Sequence, residues 1–198
     1  MGVTHSSHKL QPEDILSIQK ETGFTSSQID RLYTRFSSLD KQDKGFLSRE
    51  DFLRIPELAI NPLGDRIVHA FFQESKNEDE DKVDFRDFVK VLAHFRPIKK
   101  EKQKDTKEPV LNSRMEKLHF AFRMYDLDGD DKISKEELLA VLTMMVGANI
   151  SSEQLVSIAE RTIMEADQDQ DNLISFDEFV TVLERTDVEQ KMSIRFLN

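Results

Sequence analysis

The chain has 198 residues and carries 28 basic against 38 acidic side chains, a formal net charge of −10. This charge argues against a nucleic-acid-binding protein, because the partner would be a polyanion, and it suits a protein that binds cations. The chain has no cysteine, which excludes a disulfide framework, a thiol nucleophile and a cysteine zinc site.

The amino terminus reads MGVTHS and fits the pattern M-G-x-x-x-[ST] for N-myristoylation, with Gly2 as the acceptor. A single myristoyl chain anchors a protein only marginally, so a second contact would be needed. No apolar run approaches the roughly 18 residues that a membrane span needs. We therefore expect lipidation at Gly2 and attachment to a membrane surface.

Two helices are predicted before the first loop of the chain. The first is QPEDILSIQKETG, and the second is TSSQIDRLYTRFSSL. The second segment carries apolar side chains at helical spacing, namely Ile29, Leu32, Tyr33, Phe36 and Leu39.

The first loop, residues 40–51, reads DKQDKGFLSRED and has the outline of a calcium-binding EF-hand loop. Gly45 stands at position 6, where the backbone turns sharply. Lys44 replaces the oxygen ligand of position 5, and Asp51 replaces the closing glutamate with a shorter side chain. The second loop, residues 76–87, reads KNEDEDKVDFRD and departs further from the pattern. We expect neither loop to bind calcium tightly.

The third loop, DLDGDDKISKEE, and the fourth, DQDQDNLISFDE, match the calcium pattern D-x-[DN]-x-[DN]-G-x₅-E except at position 6. That position holds Asp131 or Asn172, and both residue types tolerate a left-handed backbone. Calcium takes about six to eight oxygen ligands, from side chains, one backbone carbonyl and water. The predicted ligands are Asp126, Asp128, Asp130, the Lys132 carbonyl, Ser134 through water and Glu137 in the third loop, and Asp167, Asp169, Asp171, the Leu173 carbonyl, Ser175 through water and Glu178 in the fourth.

Position 8 of each loop predicts how the loops pair. In paired EF-hands this residue forms a short antiparallel strand with its counterpart in the partner loop. The pairs would be Leu47 with Val83 and Ile133 with Ile174, and all four residues are apolar, as a buried two-strand bridge requires. The two incomplete loops therefore keep a structural role.

Each loop should lie between helices, and several helix starts can be predicted. NPLGDRIVHAFF should begin with Asn61 as its cap and Pro62 in its first turn. Ser134 and Ser175 each stand three residues before the closing glutamate of their loop and should form a capping box with it, so that helix start and metal site share atoms.

We predict an all-α fold with four EF-hands in two pairs. The segment RPIKKEKQKDTKEPVLNS has two prolines, five lysines and no apolar period, which is typical of a linker. The predicted units are an N-terminal pair with an extra helix and two incomplete loops over 1–96, a charged linker over 97–113, and a C-terminal pair with two calcium-binding loops and a short amphipathic helix over 114–198.

Helices such as EELLAVLTMMVG carry apolar residues on more than one side and must bury a second face. Packing within the chain or a partner could cover that face. A calcium sensor opens its helix pairs and presents an apolar groove to an amphipathic target helix. The candidate groove residues are Phe71, Phe72, Phe88, Leu92, Phe95, Leu138, Leu142, Met144, Met145, Phe179 and Leu183.

Segments along nearly the whole chain closely resemble the calcineurin B homologous proteins. The resemblance is weakest in the linker and at residues 3–12. It implies two EF-hand pairs arranged as in calmodulin and calcineurin B, calcium in the third and fourth hands only, and myristate on Gly2. The segments that carry it are KETGFTSSQIDRLYTRFSSLDK, PELAINPLGDRI, LAHFRPI, LNSR, KLHFAFRMYDLD, EADQDQD and DVEQKMSIRFL.

The same resemblance implies partners and location. The main partner would be a juxtamembrane helix in the cytoplasmic tail of plasma-membrane Na⁺/H⁺ exchangers, held in an apolar groove to regulate pH, transporter activity and trafficking. The family also inhibits calcineurin phosphatase, and segments 138–147 and 176–185 resemble nuclear export signals. The protein would be cytoplasmic, peripheral on the plasma membrane and endomembranes, and would shuttle to the nucleus.

Two other functions remain open: a calcineurin B-like phosphatase subunit and a plain calcium buffer, which would barely open on binding calcium. An enzyme is not expected. The five histidines are scattered, and neither a phosphate-cradling glycine-rich loop nor a nucleophile elbow is present in the sequence.

Overall fold

The computed structural model of the chain describes residues 10–75, 81–97 and 111–192. The predicted acylation site at Gly2, the first five residues of the second loop and most of the predicted linker lie outside these ranges. The helices, in chain order, are α1 Pro12–Thr22, α2 Ser26–Leu39, α3 Arg49–Leu53, α4 Pro56–Ala59, α5 Gly64–Ser75, α6 Phe85–Ala93, α7 Arg114–Tyr125, α8 Lys135–Val146, a 3₁₀ turn Gly147–Asn149, α9 Ser152–Ala166, α10 Phe176–Val182 and α11 Val188–Lys191.

The predicted all-α fold is confirmed. The strands β1 Phe46–Leu47 and β2 Val83–Asp84 form one antiparallel pair, and β3 Lys132–Ile133 and β4 Ile174–Ser175 form another. Leu47 lies opposite Val83 and Ile133 opposite Ile174, as position 8 predicted, and all four side chains are buried. None of the helices in the described ranges has the length and apolar character of a membrane-spanning segment.

Two clusters of buried apolar side chains form the core, one in each half of the chain. The N-terminal cluster is built around packed phenylalanine rings, including Phe36, Phe52, Phe71, Phe72 and Phe88. The C-terminal cluster surrounds the β3–β4 bridge and includes Phe122, Ile133, Leu138, Ile163 and Ile174.

Helix α7 contributes to both clusters and so joins the two halves. Phe120 packs into the N-terminal cluster, where its ring meets Phe95 edge-on at a centroid distance of 4.8 Å. Phe122 packs into the C-terminal cluster, edge-on to Phe179 at 5.4 Å. Residues that are two positions apart in a helix, such as Phe120 and Phe122, point about 200° apart around its axis. These two rings therefore leave α7 on opposite sides.

The segment after α10 is tied back to α7. Arg114 donates to the carbonyl oxygens of Leu183 at 2.6 Å and Thr186 at 2.9 Å. Lys117 is completely buried, and its ammonium group donates to the carbonyl oxygen of Arg96 at 3.1 Å. A buried charge requires such partners. Helix α7 therefore also fixes the segments of chain that follow α6 and α10.

The predicted start of α5 is wrong by a few residues. Asn61 caps a turn instead of a helix, since its side-chain oxygen accepts from the Leu63 N–H at 2.9 Å and its carbonyl from the Gly64 N–H at 2.8 Å. The helix itself begins at Gly64. Here α5 passes so close to the end of α4 that a Cβ atom on Gly64 would lie 2.1 Å from the Leu58 carbonyl oxygen.

Gly64→Ala is therefore expected to lower the free energy of unfolding by about 1–3 kcal/mol, because the backbone of α4 has to move. Urea unfolding followed by circular dichroism measures the change. The matched control is Gln73→Ala on the exposed face of α5, which should leave stability nearly unchanged. Equal stabilities for the two variants would contradict the close approach of α4 and α5.

Candidate metal centres

The third loop follows α7 directly and has the predicted backbone. Asp126 is the residue immediately after α7, and its N–H still donates to the Phe122 carbonyl. Gly129 and Asp131 have φ values of 76° and 64°, in the left-handed region. The prediction that position 6 turns left-handed without glycine is confirmed, at the modest cost that aspartate bears there.

Carboxylates of the third loop converge on one point. Oxygens of Asp126, Asp128 and Glu137 lie within 4.8 Å of one another. Asp126 and Glu137 are buried. The Asp126 carboxylate accepts from the N–H groups of Gly129 at 2.7 Å and Asp131 at 3.1 Å, so the loop backbone wraps around the first of these ligands.

Glu137 serves the helix and the site together. One of its oxygens accepts from the Leu127 N–H at 2.8 Å, and the other accepts from the N–H and hydroxyl groups of Ser134, both at 2.8 Å. The Ser134 hydroxyl in turn accepts from the Glu137 N–H, which completes the predicted capping box. Burial opposes the charge on Glu137, but these hydrogen bonds hold its pKa below the ordinary value.

The pKa of Asp126 is shifted in the opposite direction from that of Glu137, and burial is the main cause. It raises the pKa of this carboxyl, although the N–H groups of Gly129 and Asp131 oppose the rise, and the charges of Glu137 and Asp130 reinforce it. Crowded carboxylates in a partly buried loop favour a bound cation, because only a cation relieves both the burial and the mutual repulsion.

The fourth loop repeats this arrangement with more exposure. Asp167 follows α9 directly, and oxygens of Asp167, Asp169 and Glu178 lie within 4.8 Å of one another. Asn172 has a φ of 66°, as predicted for position 6. Ser175 and Glu178 form the second predicted capping box. Hard carboxylate oxygens held in this way are the ligands that calcium prefers, so both groups fit the ion.

The remaining predicted ligands lie on the same loops but outside the two three-carboxylate groups. Asp130 accepts from the Lys132 N–H and Asp171 from the Leu173 N–H, both at 2.9 Å. Only the carbonyl of Lys132 was predicted to serve the third site. Its ammonium group contacts the Asp171 carboxylate of the fourth loop, a contact that follows from the β3–β4 pairing and ties the two loops together.

The first loop contains its own cation. The Lys44 ammonium lies 2.8 Å from a carboxylate oxygen of Asp51, which is buried, and Arg54 donates to the other oxygen at 2.9 Å. Ser48 donates to Asp51 from both its N–H, at 2.9 Å, and its hydroxyl, at 2.8 Å. Burial alone would raise the pKa of Asp51, but the hydrogen bonds from Lys44 and Ser48 hold it below the ordinary value.

The rest of the first loop closes around Asp40. This carboxylate accepts from the N–H groups of Lys44 at 3.0 Å and Gly45 at 2.7 Å. Gly45 has a φ of 79° and Asp43 one of 53°, so the loop turns as the third and fourth do. The EF-hand shape therefore persists although the closing carboxylate already pairs with side chains of the chain itself. The sequence pattern identified the missing ligand at Lys44 but not this pairing.

The groove candidates fall into buried and accessible groups. The structure buries Phe71, Phe72, Phe88 and Leu138 within the two cores. The candidates that keep accessible surface are Leu92, Phe95, Leu142, Phe179 and Leu183, which are half-buried, and Met144 and Met145, which are 44% and 48% exposed. The predicted groove stays a prediction, and only this second group could contact a partner without rearrangement of the core.

Helix–loop–helix units paired through short strands, with converging carboxylates in two loops, define the class of EF-hand calcium-binding proteins. Residues 115–184 match the EF-hand domain pair family. The chain is 44% identical over 195 residues to the calcineurin B subunit of Naegleria gruberi, across 98% of this chain and 99% of that protein. It is 39% identical over 197 residues to the type 1 calcineurin B subunit of Dictyostelium discoideum, across 99% of each.

The chain therefore belongs to the calcineurin B-like family of EF-hand proteins, as a calcium-binding, non-catalytic regulatory subunit. The resemblance noted in the sequence is confirmed at this level, as is the expectation that the protein is not an enzyme. Membership of the narrower group of calcineurin B homologous proteins stays a prediction.

Lys44→Met is expected to lower the free energy of unfolding by about 1–2 kcal/mol, because it leaves the buried Asp51 with one cationic partner fewer and Lys44 is itself only partly exposed. Thermal unfolding in a chelating buffer measures this. Lys41→Met, an exposed lysine of the same loop, is the control and should have little effect. If both lysines contribute equally, Lys44 does not act as the cation of the first loop.

Proposed function

We propose that this regulatory subunit binds two calcium ions, one in the third loop and one in the fourth. The observation that carries the proposal is the convergence of three carboxylates in each of these loops. When bound, calcium supplies the positive charge that these carboxylates share. Asp126, Asp128 and Glu137 would hold one ion. Asp167, Asp169 and Glu178 would hold the other.

The closing glutamates connect the ion to the helices. Glu137 and Glu178 are the third residues of α8 and α10, and both share hydrogen bonds with the serine that caps their helix. A glutamate that turns toward the ion would draw the start of its helix with it. The first loop would not respond in this way, because Asp51 is already paired with Lys44 and Arg54.

We propose that the partner is an amphipathic helix. Met144 and Met145 near the end of α8 and Val182 at the end of α10 are exposed apolar residues, and methionine adapts to irregular apolar surfaces. On the strength of the resemblance, the partner is the cytoplasmic juxtamembrane helix of a Na⁺/H⁺ exchanger, and the protein regulates the exchanger's activity and trafficking. Acylation at Gly2 would supply the membrane contact, with a cytoplasmic and peripheral membrane location and shuttling to the nucleus.

A second candidate partner is the calcineurin catalytic subunit. The two relatives named above are calcineurin B subunits and align over almost the whole chain, which supports this partner directly. The chain would then act as a phosphatase subunit, or as an inhibitor that competes with one. Both candidates use the same chemistry, an apolar helix face held between helices.

Glu137→Gln and Glu178→Gln are each expected to remove one calcium ion from a total of two, because each variant loses the closing carboxylate of one loop. Isothermal calorimetry on chelator-treated protein counts the ions. Glu136→Gln, an exposed neighbour, is the control and should retain both. A variant at position 137 or 178 that still binds two ions would disprove the assignment of that loop.

Met145→Glu is expected to weaken partner binding at least roughly tenfold, because a charge would have to be buried against an apolar helix. Binding is measured in calcium with two labelled peptides, one from an exchanger tail and one from the calcineurin catalytic subunit. The control is Leu16→Glu, an exposed apolar site on α1.

The peptide that binds tightly identifies the partner. Binding of neither peptide, with no calcium-dependent uptake of an apolar dye, would favour a calcium buffer.

A further inference from the structure

One arginine of the N-terminal half donates hydrogen bonds to the end of the helix that leads into the third loop. Arg66, on α5, donates from Nε to the carbonyl oxygen of Met124 at 3.1 Å. Its Nη2 group donates to the carbonyl oxygens of Arg123 at 3.0 Å and Asp126 at 2.9 Å. These carbonyls lie in and just after the last turn of α7, where helix carbonyls have no partner within the helix.

The interaction is favourable for two reasons. A guanidinium group fits several acceptors at once because its donors are arranged in a rigid plane. Positive charge is also stabilised at the carboxyl end of a helix, where the peptide dipoles add to a partial negative charge. Burial lowers the pKa of Arg66, while the negative charges of Asp126 and Glu137 oppose that effect, so the arginine lies within the electrostatic field of the third site.

A reciprocal contact fixes the other side of the same helix pair. Arg123 of α7 forms an ion pair with Glu74 of α5, and α5 and α7 pack against each other. His94, which is buried just after α6, lies 3.7 Å from Glu74 and 3.7 Å from Glu116 of α7. The entering helix of the second hand is therefore locked to the entering helix of the third.

Asp126 is held from both ends by this arrangement. Arg66 fixes its carbonyl, and the N–H groups of Gly129 and Asp131 fix its carboxylate. The carboxylate is a predicted first ligand of the ion, so a change in the direction of this peptide unit would move the ligand. The contact thus acts on the calcium site through the backbone of Asp126.

Among the described residues, no arginine is hydrogen-bonded to the end of the helix that precedes the fourth loop. Asp167 follows α9 as Asp126 follows α7, yet within residues 10–75, 81–97 and 111–192 the hydrogen bonds place no arginine on the last carbonyls of α9. Arg161 of α9 is exposed and pairs with Glu165 on its own helix. The fourth loop therefore provides an internal comparison for the third.

We propose that Arg66 is a positioning residue for calcium in the third loop, and that through it the N-terminal half and the third site influence each other. This inference rests on the proposed binding of calcium in the third loop. Because coupling between two sites is reciprocal, a helix bound to the N-terminal half would change calcium affinity in the third loop through α5, and calcium would change the affinity for that helix.

The test separates the two loops in single-site backgrounds of the full chain. With Glu178→Gln, only the third loop remains complete, and adding Arg66→Gln should weaken calcium binding roughly tenfold, within the range of typical couplings. With Glu137→Gln, only the fourth loop remains complete, and Arg66→Gln should change affinity less than about twofold. Arg161→Gln is the matched control and should change neither affinity. Calorimetry on chelator-treated protein measures each value.

Arg66→Lys is a second variant, in case Arg66→Gln fails to fold. It also distinguishes the effect of the planar donor geometry of arginine from the effect of its charge. Lysine keeps the charge but lacks the planar set of donors, so an intermediate loss, confined to the third loop, is expected. Equal weakening in both backgrounds would show a general structural effect and overturn the proposal, as would unchanged affinity in the Glu178→Gln background. If the Glu178→Gln protein binds no calcium before Arg66 is altered, the proposed third site itself fails and the inference fails with it.

Discussion

Repulsion between carboxylates crowded into short loops is the constraint on which the rest of the structure depends. An EF-hand loop gathers acidic side chains where two helices meet, and a positive charge among them offsets their repulsion. The chain meets this constraint in two ways. The third and fourth loops present grouped carboxylates suited to calcium, whereas the first loop closes its buried Asp51 with the side chains of Lys44 and Arg54.

This difference divides the labour between the halves of the protein. The first loop is neutralised by its own lysine, so on the proposed function its shape does not depend on calcium. A loop that needs an external ion can respond to it, and the capping boxes of Glu137 and Glu178 place the responding atoms at the start of α8 and α10. On the proposed function, the response to calcium is then concentrated in the C-terminal pair.

Helix α7 prevents the two halves from acting as separate units. Its Phe120 lies in one core and its Phe122 in the other, and its last turn is held by Arg66 from the N-terminal half. The end of α7 at the third loop is therefore in contact with both halves. In a family whose members act as regulatory subunits, this connection is the one through which the proposed calcium site would affect surfaces outside its own hand.

Much of this architecture follows from local sequence patterns. The alternation of acids, the left-handed residue at position 6 and the apolar residue at position 8 predicted the loops, the Ile133–Ile174 bridge and the capping boxes correctly, because each depends on neighbours within one loop or on the fixed pairing of two. The start of α5 was misplaced, because the close passage of Gly64 by the Leu58 carbonyl depends on how α4 folds back and not on the residues around Pro62.

Residue type and spacing were enough to define the class of protein, the positions of the ligand-bearing loops and the lack of an oxygen ligand at Lys44, since all three are short-range properties of the chain. Helix packing was needed to show that Lys44 pairs with Asp51, that Phe71, Phe72 and Phe88 belong to a core instead of an open surface, and that Arg66 reaches the end of α7. Arg66 and Asp126 are sixty residues apart in the chain, and no local pattern records which side chain meets a helix end once two helices have packed together.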